Sequence, residues 1–198
     1  MIEEAIELKG KGSMIEEAIE FAAKAHAGST RKGKKRPFIL HPIEAMLIVA
    51  DVTDDEEVIA AAVLHDTIED TKKERSEIAE KFGERVASLV DSESENKRAH
   101  LSAESTWKVR KQETIDHLRT AERDVKLICL GDKLSNLREM ARDYKSIREA
   151  LWDRFNQKDK RMHEWYYRSI LEILEAEFSE CPEIIEEYRT LMQTLFSA

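Results

Sequence analysis

Residues 56–71 read EEVIAAAVLHDTIEDT. Val58 to Leu64 follow one another without a polar break, so a helix built from them is apolar on most faces. That pattern predicts a central buried helix over Glu57–Asp70. Thr53 and Glu56 have capping-box spacing, and acids in the first turn suit the positive end of the helix dipole. Into this apolar helix the chain sets His65 and Asp66. Glu69 stands four residues after His65 and Asp70 four after Asp66, so all four share one broad face. Charge there is costly unless it is paired or meets a cation. Three carboxylates and an imidazole on one face repel each other, which makes a bound cation the economical account. The alternative is a set of buried groups satisfied by hydrogen bonds.

Helical spacing continues on both sides. Ile15, Ala18, Ile19, Ala22 and Ala23 predict a first helix ending about His26. The loop GSTRKGKKRP (28–37) follows, and Pro42 suits the first turn of a helix that runs to Ala50. Downstream, Ser76–Val90 reads as one helix with Gly83 as an interior weak point. Asp91–Ala103 reads as a polar loop, Trp107–Leu118 as a helix with a basic face, and Asp124–Ala141 as a strongly periodic helix. Residues 147–198 read as two helices parted near Cys181 and Pro182. Six Gly and three Pro among 198 residues are few breakers. A β-sandwich or barrel needs a turn every ~8–12 residues, so an all-α bundle is expected.

The chain is 41% apolar and 37% charged, with a net charge of −9. That allows a core and argues against general nucleic-acid binding, which needs a basic surface. No apolar run approaches the ~18 residues of a membrane span, and no signal-peptide pattern opens the chain. Two distant cysteines suggest the reducing cytoplasm rather than a disulfide framework. MIEEAIE occurs at 1–7 and again at 14–20. One recurrence is not a solenoid. Residues 1–13 therefore read as a start-site artefact or a helical extension, and 14–198 as a single domain.

Further candidates lie outside the central helix. His41 precedes Pro42 at a helix start. Asp132 follows Gly131 in an apolar helix, where glycine permits close approach of another helix or a ligand. Asn136 lies one turn beyond Asp132 on the same side. His41, His65, Asp66 and Asp132 together would mix imidazole nitrogen with hard oxygen, a set that suits manganese, iron, zinc or magnesium. Residues 31–36, RKGKKR, hold five cations. They read as a seat for a phosphate-rich small molecule or as a solvated basic turn.

In order, RKGKKRPFILHP (31–42), VLHDTIEDT (63–71) and GDKLSN (131–136) resemble the HD-domain hydrolases of the RelA/SpoT kind, in particular the small stand-alone alarmone hydrolases. The resemblance covers about residues 14–144, and LWDRFNQKDKRMHEWYYRSI (151–170) also looks like bacterial members of the group. Nothing resembles a synthetase domain. The resemblance implies an HD-domain helical bundle that hydrolyses ppGpp and pppGpp to GDP or GTP plus pyrophosphate, with Mn2+ as the usual metal. It places the metal ligands at His41, His65, Asp66 and Asp132, and the water-handling pair at Glu69 and Asp70. Substrate contacts fall on Arg31, Lys32, Asn136 and Phe38, the last standing where the family often has Tyr.

Lys108 and Arg110 are candidate phosphate partners, and Trp165 and Tyr166 candidate covers for a nucleoside. His26, His100, His117 and His163 match no family role. Residues 91–97, DSESENK, depart from the Gly-Val-Thr-Lys type segment of the long family members. Other readings remain: a phosphatase on another nucleotide such as NADPH, a non-catalytic nucleotide-binding HD module, or a helical scaffold. The expected partner is a guanine nucleotide, without nucleic acid or membrane; the oligomeric state is not readable.

Overall fold

The computed structural model describes residues 12–94, 98 and 100–197. The first copy of MIEEAIE and part of the 91–103 segment therefore lie outside the described residues. Among those described, no strand forms; one antiparallel bridge, Thr30 with Pro37, closes the basic loop. Helix α1 spans Met14–Ala25, α2 Leu40–Ala50, α3 Glu56–Leu64, α4 Thr67–Asp70, α5 Arg75–Phe82 and α6 Glu84–Glu93. Then come α7 (Ala103–Thr120), α8 (Arg123–Ile147), a 3-10 segment (Arg148–Arg154), α9 (Lys160–Glu177) and α10 (Pro182–Phe196).

The all-α expectation holds, with four local differences. First, the central helix breaks where its chemistry sits. Asp66 has φ −89° and ψ −1°, which interrupts the ladder and makes it the residue before the short α4. Second, the cap of α3 is Asp55, whose carboxylate accepts from Glu57 and Val58 N–H, rather than a Thr53–Glu56 box. A capping box does form at α1, between Ser13 and Glu16. Third, the helix expected over Ser76–Val90 is two, because Gly83 takes φ +91°. Fourth, α8 runs six residues beyond the expected Ala141, to Ile147, and a 3-10 segment precedes the two C-terminal helices.

Helix α3 is buried from Val58 to Leu64 and forms the centre of the bundle. Helices α1, α2, α6 and α8 pack around it, and one apolar core extends from Ala18 to Phe196. Helix α2 lies tightly along α8. A Cβ at Gly131 would stand 2.7 Å from the Ala45 carbonyl oxygen, so only glycine permits that approach. The close contact brings the start of α2 beside the middle of α8.

Candidate active site

His41 comes from the first turn of α2, His65 and Asp66 from the break after α3, and Asp132 from the middle of α8. His41 Nε2 lies 3.1 Å from Asp132 Oδ1 and 3.5 Å from Asp66 Oδ2. His65 Nε2 lies 3.1 Å from Asp66 Oδ2 and 3.8 Å from Asp132 Oδ1. One donor atom each from His41, His65 and Asp132 fall within 4.8 Å of one another, a set able to hold a divalent ion. Asp66 faces the same point through its contacts to both imidazoles.

The far side of each ring is anchored. His65 Nδ1 meets the Ala62 carbonyl oxygen at 2.7 Å. A carbonyl only accepts, so Nδ1 carries a proton, and in its neutral form the ring points an Nε2 lone pair inward. His41 Nδ1 lies 2.9 Å from Ser135 Oγ, whose hydroxyl donates onward to Glu44. Such outer partners fix ring tautomer and orientation in metal sites. His65 Nε2 is buried and makes no hydrogen bond among the described residues. An unpaired inward lone pair between carboxylates fits a metal ligand.

The electrostatics point the same way. Burial opposes charge on His65, yet the carboxylates of Asp66 and Asp132 raise its proton affinity to about 10. Burial would push the carboxyls of Asp66 and Asp132 upward. Charge from His65 holds Asp66 low, and Lys133 with the two histidines holds Asp132 low. The cluster therefore carries a demand for positive charge that a proton or a divalent ion meets.

A cavity of about 570 Å³ opens on the cluster. Arg31, Phe38, Glu69, Asp70, Arg110, Asn136 and Tyr166 all line it, as do the four candidate ligands and Lys133. Arg31 donates to Asn136 Oδ1 and to Glu139, each at 2.7 Å, and Asn136 in turn donates to Asp132 Oδ1. The ring of Phe38 stacks on His26 at 4.7 Å, with the Arg31 guanidinium 5.4 Å from its centre.

Three candidates lie elsewhere. Lys108 is exposed on α7 and does not line the cavity, because its neighbours Arg110 and Lys111 occupy the inward face. Lys32 lines an adjoining cavity of about 420 Å³ that shares Arg31, Phe38 and Asn136 with the first. Trp165 packs toward Trp107 at 6.5 Å. His117 lines the main cavity, whereas His163 is buried against the Gln157 carbonyl. Sequence reasoning missed Lys111, Lys133, Glu93 and Glu139. Single charges on amphipathic helices look like solvated surface, and no spacing separated these from their neighbours. Asp91, Ser92, Glu93 and Ser94 of the departing segment do reach the cavity wall, while residues 95–97 lie outside the described set.

Residues 18–156 match the HD-domain family. The chain is a member of that family. Among its relatives, this HD-domain chain is 39% identical over 127 residues to guanosine-3′,5′-bis(diphosphate) 3′-pyrophosphohydrolase of Aquifex aeolicus. That match covers 64% of the chain but only 18% of the much longer relative. It is 34% identical over 139 residues to the enzyme of the same name, MESH1, from Xenopus tropicalis, covering 68% of the chain and 74% of the relative. Its fold is similar to the solved structure of a metazoan ortholog of SpoT described as hydrolysing ppGpp, with a TM-score of 0.73 at 23% identity over 92% of this chain and 96% of that one. Among the described residues, no helix is long and apolar enough to cross a membrane.

Proposed function

We propose that this HD-domain chain hydrolyses guanosine 3′,5′-bis(diphosphate), and its pentaphosphate counterpart, to GDP or GTP plus pyrophosphate, with Mn2+ as the working ion. The observation that carries the reading is the meeting of His41, His65, Asp66 and Asp132 around a buried imidazole nitrogen that has no hydrogen bond among the described residues. The names of its relatives supply the substrate class.

His41, His65, Asp66 and Asp132 would hold the ion. Bound there, it supplies Lewis acidity, lowering the pKa of water and offsetting phosphoryl charge. Glu69 and Asp70, on the cavity wall one turn past the ligands, orient the attacking water and receive its proton. Water adds to the phosphorus borne on the ribose 3′ oxygen, the bond between them breaks, and the 3′ oxygen leaves with a proton. Arg31 offsets charge on the transferred group, held in place by Glu139 and Asn136. Asn136 also steadies Asp132. Lys32 extends the cationic side toward the adjoining cavity. Phe38 and Tyr166 shape the nucleoside and phosphate walls, and Arg110 adds charge; exposed Lys108 has no part.

Residues 14–198 act as one catalytic unit in this reading, supported by the single apolar core. Free thiols at Cys129 and Cys181 suit a cytoplasmic setting. The test is anion-exchange analysis of products from guanosine tetraphosphate, with Mn2+ and with chelator. The reading expects GDP and pyrophosphate only with metal. Orthophosphate as the released product, or intact nucleotide under both conditions, contradicts it.

A further inference from the structure

The main cavity has two unlike sides, divided by Asp132. Its Oδ1 takes Asn136, which Arg31 holds; its Oδ2 takes Lys133. The Arg31 side continues into the adjoining cavity, which has room for the bulk of a nucleoside. On the Lys133 side stand Lys111 and Tyr166, and neither lines that second cavity. Tyr166 is 4% exposed, and its buried hydroxyl has no hydrogen-bond partner among the described residues. The ammonium groups of Lys111 and Lys133 lie 5.1 Å and 5.8 Å from the centre of its ring.

Buried polar groups are normally satisfied, so the orphaned hydroxyl of a residue that lines the cavity asks for a partner. Burial raises the proton affinity of Tyr166, so the phenol keeps its proton and can donate. Two ammonium groups, each with an interaction of its own besides, and a phenol stand together here, and the complement of such a set is an anion rich in acceptor oxygens. The surrounding rim, with Asp91, Glu93 and Glu113, is acidic, so these lysines are not part of a general basic face.

We propose that Lys111, Lys133 and the Tyr166 hydroxyl seat the terminal phosphate of a 3′-diphosphate, and so select that group over a 3′-monophosphate. This rests on the reading of the site as a 3′-pyrophosphohydrolase and adds an orientation to it. The nucleoside lies toward Arg31 and Phe38, the phosphorus under attack lies at the cluster, and the outer phosphate lies against Tyr166. Lys133 also pairs with Asp132, so it stands between the cluster and this seat.

The experiment compares wild type, Tyr166→Phe and Lys111→Met. Each Mn2+-loaded protein is assayed on guanosine 5′-diphosphate 3′-diphosphate and on guanosine 5′-diphosphate 3′-monophosphate, and titrated by calorimetry with inorganic pyrophosphate and with GDP. Wild type should prefer the 3′-diphosphate. Each variant should lose about tenfold in kcat/KM on it, the scale of one charge-assisted hydrogen bond, while the monophosphate rate barely moves. Pyrophosphate binding should weaken by a similar factor, with GDP binding unchanged. Tyr166→Phe should melt no lower than wild type, because it removes an unpaired hydroxyl, which separates lost recognition from lost folding. An unchanged substrate ratio in both variants, or equal weakening for pyrophosphate and GDP, overturns the seat. If wild type cleaves neither nucleotide, the substrate reading fails, and the pyrophosphate titrations still decide the seat.

Discussion

Arg31 enters the cavity as a restrained group. Glu139 accepts from its guanidinium at 2.7 Å and from Lys34 at 2.9 Å. Burial would raise the Glu139 carboxyl, but the hydrogen bond and charge of Arg31, with Lys34 behind them, hold it down at about 2. A depressed carboxyl stabilises the fold above its ordinary value of 4.5 and loses that contribution as pH falls toward about 2. The shift corresponds to about 3 kcal/mol at most, and both side chains are shielded enough to keep a good part of it. Glu139→Gln should therefore lower unfolding free energy at pH 7, and the deficit should shrink steadily below pH ~4.5. Denaturant titrations at several pH values check this; a deficit of the same size at pH 7 and pH 3 contradicts it. Residues of this kind were hidden in the sequence. His65 and Asp66 stood out because they interrupt an apolar run, whereas Glu139 and Lys111 sit among other charges on helices whose outer faces are meant to be charged.

The helices deliver the ligands through one tight crossing and one break. The crossing is α2 against α8 at Gly131, and the sequence hinted at it, since glycine beside an acid in a buried helix implies a close neighbour. Gly131→Ala would set a Cβ 2.7 Å from the Ala45 carbonyl oxygen and 3.0 Å from a Val49 methyl. Backbone cannot yield as a side-chain tip does, so α2 must move, and His41 moves with it. The variant should lose about 1–3 kcal/mol of stability, the usual cost of overpacking. It should also bind Mn2+ more weakly than wild type. Thermal melts and metal titration read both, and wild-type metal affinity in a destabilised protein would break the link. The break at Asp66 was not legible. No glycine or proline marks it; tertiary contact of Asp66 with both histidines accompanies the turn. Gly83 was visible as a weak point, and its φ of +91° turns that weak point into a break between α5 and α6.

At the scale of the molecule, sparse breakers and long apolar periodicity made the all-α bundle readable, and the ordered motifs made the HD family readable. What they left open was convergence in space. His41, His65 and Asp132 are far apart in the chain, and only the packing of α2, α3 and α8 around one core brings their donor atoms within 4.8 Å. The same packing places cationic groups on both sides of a cluster in a chain of net charge −9. All of this depends on the cluster holding a divalent cation. The direct measurement is a Mn2+ titration of the metal-stripped protein, followed by electron paramagnetic resonance of the free ion. One equivalent taken up per chain by wild type, and lost in Asp66→Ala, is the predicted result. No uptake by wild type, or full uptake by the variant, would contradict it.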